Sequence, residues 1–134
     1  MKNKYLFLIV LTLILFQFDK INAQSQTWVA PKSAYDLINP FKGNEKATAE
    51  GKKLYNQMCV ICHGIQGKGN GSAGVALSPK PSNFLTINVV NETDGAIFWK
   101  LTEGKSPMAS YKDALSENQR WQLVNYIRYL EKNK

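Results

Sequence analysis

The chain has 134 residues, of which 44% are hydrophobic and 20% are charged, and its formal net charge is +7. This length suits a single domain, and an aromatic content of 11% with charges of both signs excludes a disordered protein. The basic residues are scattered along the chain rather than clustered, which argues against nucleic acid as a partner.

The N-terminal residues 1–23 have the features of an export signal. Lys2 and Lys4 precede an apolar run over residues 5–16, and the small residue Ala23 follows it. These features are typical of a secretory signal peptide, with an uncleaved membrane anchor as the alternative. We expect a mature domain exported to a periplasm. Membrane association is then expected only through a partner complex or an uncleaved N-terminus.

Residues 24–45 are predicted to form an extended or irregular arm ahead of the main domain. Pro31, Pro40 and Gly43 interrupt any helical periodicity in this stretch. The domain proper is expected over residues 46–134.

Three helices are predicted in the main domain. The first runs from about residue 45 to 58, and Gly51 on its apolar face indicates close contact with another helix. The second covers residues 93–103, and the third begins at Ser116, which can form a capping box with Gln119. No strand is predicted, so the expected fold class is all-α.

The segment Cys59-Val60-Ile61-Cys62-His63 carries the chemistry. Two thiols three residues apart can bond to the two vinyl groups of one haem, and the next residue brings an imidazole to the iron, so C-x-x-C-H indicates c-type haem attachment. One alternative, a thiol redox pair, would normally open a helix in a βαβ unit. Another, structural zinc, would need a fourth ligand, and the chain has no other Cys or His.

A haem iron bound by His63 has a second axial position. Beyond the predicted signal peptide the only methionines are Met58 and Met108. Met58 directly precedes Cys59 and is therefore tied to the His63 side of the ring. Met108 lies between the second and third helices, so we predict it as the second iron ligand, with a packing role as its alternative.

The two expected iron ligands indicate what the protein does. Iron held by both His63 and Met108 has no open position for a substrate, which favours one-electron transfer over catalysis. The second ring N–H of His63 is expected to donate to a backbone carbonyl, as metal-binding histidines do. Pro79 and Pro81 lie in the Gly- and Pro-rich loop of residues 64–82, and both are candidates for that carbonyl.

The chain resembles class I (monohaem) bacterial cytochromes c over about residues 47–130. Gly51 and Tyr55 stand before the first cysteine as in the N-terminal helix of that family. The segment 123–128 resembles the part of the last helix that crosses it, with Leu123 and Tyr126 as the expected contacts. The segment 104–108 resembles the loop of the second iron ligand, although Pro107 precedes Met108 where many members have Met-Pro. The resemblance implies a cytochrome c-like fold of three to four helices around one covalently bound haem c.

The resulting hypothesis is a periplasmic carrier that moves single electrons between redox partners and is not itself an enzyme. Alternatives are a haem c subunit of a dehydrogenase or respiratory complex, and a haem enzyme or sensor with a labile iron ligand. Six lysines either steer acidic partners towards the haem edge or only maintain solubility. They are Lys52, Lys53, Lys68, Lys80, Lys105 and Lys112.

Overall fold

A computed structural model describes residues 28–133, and these residues form an all-α domain. The predicted signal peptide lies outside the described residues. Within them, the nearest approach to a strand is an isolated antiparallel bridge between Lys105 and Met108. In chain order the helices are α1 Lys32–Tyr35, α2 Glu45–Met58, α3 Val60–His63, α4 Ile87–Val90, α5 Asp94–Glu103 and α6 Glu117–Lys132, with a 3₁₀ turn at Gly74–Ala76.

The three predicted helices are confirmed as α2, α5 and α6, and each begins at a side-chain cap. The Asn44 side chain accepts a hydrogen bond from the first turn of α2, and Thr93 does the same for α5. Ser116 and Gln119 form the predicted capping box at α6. These caps satisfy backbone N–H groups that a helix start leaves without partners.

Helices α2 and α6 cross in direct backbone contact at Gly51. A Cβ atom at Gly51 would overlap the carbonyl oxygen of Gln122 and lie 3.1 Å from the Cβ of Tyr126. Tyr126 is therefore confirmed as a contact of this glycine. Leu123 and Tyr55 are fully buried in the core. The crossing fixes the end of α2, and with it the residues that follow.

The arm is more regular than its sequence predicts. Residues 32–35 form one helical turn, so the expectation of a wholly irregular arm is wrong there. Ala34 is buried, and its carbonyl oxygen lies where a Cβ of Gly95 would be. Helix α1 thus packs tightly on α5. A four-residue helix is too short to show a helical period, so it left no signal in the sequence.

A polar network joins the arm to α5 and α6. Asn39 is buried and donates to Asp94 Oδ2 at 2.9 Å and to Asn125 Oδ1 at 2.7 Å. Arg128 Nε donates to Asp94 Oδ1 at 2.7 Å, and its terminal NH₂ group donates to Glu131. Burial raises the pKa of Asp94, but the hydrogen bonds from Asn39 and Arg128 outweigh it and lower that pKa overall.

Candidate functional site

The segment of residues 59–63, called the motif below, forms a tight turn at the end of α2. The Cys59 N–H continues α2 by donating to the Tyr55 carbonyl at 2.9 Å. The Cys59 carbonyl then accepts from the N–H groups of Cys62, at 3.1 Å, and His63, at 2.8 Å. These backbone bonds place Cys59, Cys62 and His63 within one helical turn of each other.

The glycine-rich loop after the motif folds back onto it. Three loop N–H groups each donate to a motif carbonyl: Gly69 to His63 at 2.8 Å, Gly71 to Cys62 at 3.1 Å and Ala73 to Ile61 at 2.9 Å. A Cβ on Gly71 or Gly74 would overlap carbonyl oxygens of the motif. The glycines are therefore needed because loop backbone lies directly against motif backbone.

His63 is held in one orientation by this loop. Its Nδ1 lies 3.3 Å from the Ser82 carbonyl oxygen, and its ring stacks on Phe84 with centroids 4.6 Å apart. A carbonyl can only accept, so Nδ1 carries the proton and Nε2 keeps its lone pair for a metal. Burial lowers the pKa of His63 and outweighs the opposing effect of the Ser82 hydrogen bond, which favours the neutral ring.

The acceptor for His63 is thus neither Pro79 nor Pro81. Ser82 follows Pro81 directly, and the Pro81 carbonyl oxygen is turned away, lying where a Cβ of Gly69 would be. The expectation that a proline carbonyl fills this role is wrong by one residue, because the close approach of Gly69 determines which peptide faces the imidazole.

Cys59 and Cys62 are not joined by a disulfide, and Cys59 is buried. Burial, reinforced by neighbouring Cys62, raises the pKa of the Cys59 thiol to about 12. The thiolate is the reactive species in disulfide exchange, so burial makes Cys59 a poorer nucleophile than an exposed thiol.

Met108 lies on a tight hairpin formed by residues 104–111, called the distal loop below. Lys105 and Met108 exchange two backbone hydrogen bonds of 3.0 and 2.9 Å. The loop is closed by Gly104, whose missing side chain admits the Ala109–Ser110 backbone, and by the Tyr111 N–H, which donates to the Leu101 carbonyl at 3.0 Å. Met108 is half-buried and packs against the same core cluster that contains Cys59.

The distal loop and the motif lie close together. Met108 and Tyr111 both pack against the core cluster that contains Cys59. Burial raises the pKa of Tyr111, and the Cys59 and Cys62 thiols act on it in the same direction. Two thiols, one oriented imidazole and one thioether on the distal loop are the donor set of a haem c with His and Met ligands. The residues present therefore fit that group.

Other metal chemistry finds little support in this geometry. Among residues 28–133, no group of three or more His, Cys, Asp or Glu side chains is placed to hold a metal ion. The zinc alternative thus lacks a ligand set in this part of the chain.

Among residues 28–133, no helix has the length and apolar character needed to cross a membrane.

Sequence reasoning missed three residues around the site. Ser82 acts through its backbone carbonyl, so its residue type gave no signal. Phe84 stacks on the imidazole, and a large apolar residue at the end of the loop was its only indication. Arg120 is buried behind the distal loop, although its position on the apolar side of α6 could have drawn attention to it.

The chain is similar in fold to a solved structure. A chain of the reducing HAO-like protein complex of Kuenenia stuttgartiensis matches with a TM-score of 0.60 and 27% sequence identity. The match covers 70% of the present chain and 49% of that chain, so the present chain spans about half the length of its structural relative. No curated protein sequence matches.

A family profile assigns the chain more directly. Residues 46–127, which include the motif, the distal loop and the helix crossing, match the family described as cytochrome C oxidase, cbb3-type, subunit III. The helical fold agrees with this assignment. The chain therefore belongs to this family of c-type cytochromes.

Proposed function

We propose that Cys59 and Cys62 hold one haem c through thioether bonds, with His63 Nε2 and Met108 Sδ as the axial iron ligands. When bound, the haem supplies a one-electron Fe(III)/Fe(II) couple. The observation that carries the proposal is the imidazole fixed through Nδ1 by Ser82 and stacked on Phe84, a member of the core cluster against which half-buried Met108 packs. The predicted signal peptide would deliver the protein to a periplasm. There it would move single electrons between exported redox partners.

The surrounding residues would keep water away from the iron and fix its ligands. The core next to Cys59 is built from buried side chains that include Phe84, Leu101 and Trp121. A core of low polarity disfavours Fe(III) relative to Fe(II), and so does a thioether ligand. Both would therefore raise the reduction potential of the haem. With both axial positions filled by side chains, the iron offers no site for a substrate.

Met108→Ala tests the ligand assignment. We expect the parent to show a low-spin haem c spectrum, with the weak sulfur-to-iron charge-transfer band in the ferric state. Loss of the thioether should abolish that band and lower the reduction potential by roughly 0.1 V or more, since axial-ligand identity sets potentials over a span of about 0.8 V. Absorption spectra and redox titration of the purified holoprotein measure both effects.

Met58→Ala is the matched control. Met58 is also half-buried and packs on the same core, but it directly precedes Cys59 on α2. The control should keep both the band and the potential. Survival of the band in Met108→Ala, or its loss only in Met58→Ala, would show that Met108 is not the ligand.

A role as a subunit of a larger complex is the second candidate. It is favoured by the structural relative, which belongs to a complex and is about twice as long as the matched region. The arm, which lies outside the family match at residues 46–127, would then be available as a docking element. Recovery of the native protein with stoichiometric companions would support this candidate, and recovery as a free monomer would support a mobile carrier.

Acidic partners are expected because of the charge around the motif. No Asp or Glu occurs between Glu50 and Glu92, and this stretch includes Lys52, Lys53, Lys68 and Lys80. All six lysines noted in the sequence are exposed. Opposite charge speeds encounter, and salt screens it beyond a Debye length of about 8 Å at physiological ionic strength.

We therefore expect electron transfer with an acidic redox protein to slow by about tenfold as ionic strength rises from about 0.01 to about 0.15 M. Stopped-flow measurement of the second-order rate constant tests this. A neutral small-molecule reductant serves as control and should show no such trend. A rate with the acidic protein that does not change with salt would mean that the lysines act only in solubility.

A further inference from the structure

Arg120 is a buried cation on the first turn of α6, with an exposed fraction of 8%. One terminal NH₂ group of its guanidinium donates to three backbone carbonyls: Leu115 at 2.7 Å, Lys112 at 2.9 Å and Tyr111 at 3.4 Å. All three carbonyls belong to the turn that connects the distal loop to α6. The side chain therefore binds the chain three to seven residues after Met108.

The guanidinium also packs against an aromatic pair. Its central carbon lies 5.2 Å from the centroid of the Phe98 ring, which stacks on Trp121 with centroids 4.0 Å apart and planes 14° apart. This contact places Arg120 between α5, α6 and the turn. Cation–π attraction and the flat guanidinium shape suit such a position better than a lysine would.

Arg120 differs from Arg128, two turns later on the same helix. Arg128 pairs with Asp94 and Glu131, whereas no carboxylate within residues 28–133 forms an ion pair with Arg120. The Arg120 Nε is buried and has no hydrogen-bond partner in the described part of the chain. A buried cation is costly without a counter-charge, so global stability alone is a poor reason for this residue.

We propose that Arg120 is the positioning residue for Met108, an inference that rests on the proposed role of Met108 as iron ligand. The Tyr111 N–H is tied to the Leu101 carbonyl, and Arg120 holds the carbonyl side of the same turn. The distal loop is thereby fixed at its C-terminal end. Only two residues separate Met108 from this fixed point. The hold of Arg120 on the turn, called the clamp below, would therefore limit how far the Met108 sulfur can move away from a bound iron.

The proposal predicts easier displacement of Met108 by an external ligand. In ferric Arg120→Met holoprotein, imidazole should bind about tenfold more tightly than in the parent, which corresponds to loss of about one charge-assisted hydrogen bond. The sulfur-to-iron band should weaken at temperatures well below unfolding. Spectrophotometric titration with imidazole measures the affinity, and thermal unfolding of the same samples measures global stability.

Arg128→Met is the matched control, because it removes the other arginine of α6. It should lower the melting temperature, since Asp94 and Glu131 lose their partner, and leave the imidazole affinity unchanged. If Arg120→Met behaves in this way, Arg120 is only a structural residue and the proposal is wrong.

Arg120→Lys covers the case in which Arg120→Met yields no holoprotein. The ammonium keeps the charge but cannot both pack flat against Phe98 and donate to the carbonyls of the turn as the guanidinium does, so we expect about threefold tighter imidazole binding. Parental affinity in this variant would equally overturn the proposal.

Met108→Ala in the same titration separates the two hypotheses. If it lacks the band and binds imidazole tightly while the Arg120 variants match the parent, only the clamp is refuted. If Met108→Ala itself matches the parent, the ligand assignment fails and the clamp fails with it.

Discussion

Gly51→Ala is expected to destabilise the folded protein by about 3 kcal/mol, because the new methyl group would overlap the Gln122 carbonyl oxygen on α6. Helix propensity predicts the opposite sign, since alanine in a helix interior is favoured over glycine by about 1 kcal/mol. The overlapping atom belongs to the backbone of α6 and not to a flexible side chain, so the overlap is relieved only if the two helices move apart. Denaturant unfolding of the holoprotein gives the sign directly.

Lys52→Ala is the control for this prediction. Lys52 is the next residue on α2 and is exposed, so its replacement should change the free energy of unfolding by less than about 0.5 kcal/mol. A Gly51→Ala protein that is more stable than the parent would show that α2 and α6 do not cross in backbone contact.

The helices were predictable because their signals are local. Asn44, Thr93 and Ser116 cap the three long helices through their own side chains, and each stands directly before an apolar-periodic segment. The motif was equally readable, since residues 59–63 form a single turn whose geometry follows from their spacing. In both cases the interacting residues are at most four apart along the chain.

The remaining features depend on contacts between distant segments. The residue type at Ser82 has no bearing on its carbonyl, and only the approach of Gly69 to Pro81 decides which peptide faces His63. Asn39 likewise looked like an ordinary arm residue, yet it bonds to Asp94 and Asn125, 55 and 86 positions away. Such pairings follow from the assembled fold and not from periodicity or capping.

Arg120 shows a different limit of sequence reasoning. Arg120 lies on the apolar side of α6, but its residue type predicts solvent contact, because arginine is rarely fully buried. Here the turn of residues 111–115 folds over it and supplies three carbonyl acceptors. Its hydrogen-bond partners can be identified only once the path of the distal loop is known.

The double variant Cys59→Ala/Cys62→Ala is expected to lose all covalently bound haem. Each thiol would form one carbon–sulfur bond to a vinyl carbon and give its hydrogen to the neighbouring carbon, a balanced addition that needs no oxidant. The chain has only these two cysteines, so no other thiol can substitute. In a host able to attach haem c, denaturing mass spectrometry should show the parent heavier than its polypeptide by one haem, and the double variant at the bare polypeptide mass.

The two single cysteine variants and a variant of Ile61 are the controls for this test. Cys59→Ala and Cys62→Ala should each keep a share of haem-loaded chain through the remaining thioether. Ile61→Ala, at an exposed position between the two cysteines, should load as fully as the parent. Because the turn is held by backbone bonds from Cys59 to Cys62 and His63, removing the sulfurs leaves the imidazole in place. A parent at bare polypeptide mass, or a double variant that retains the haem mass, would contradict attachment through these two residues.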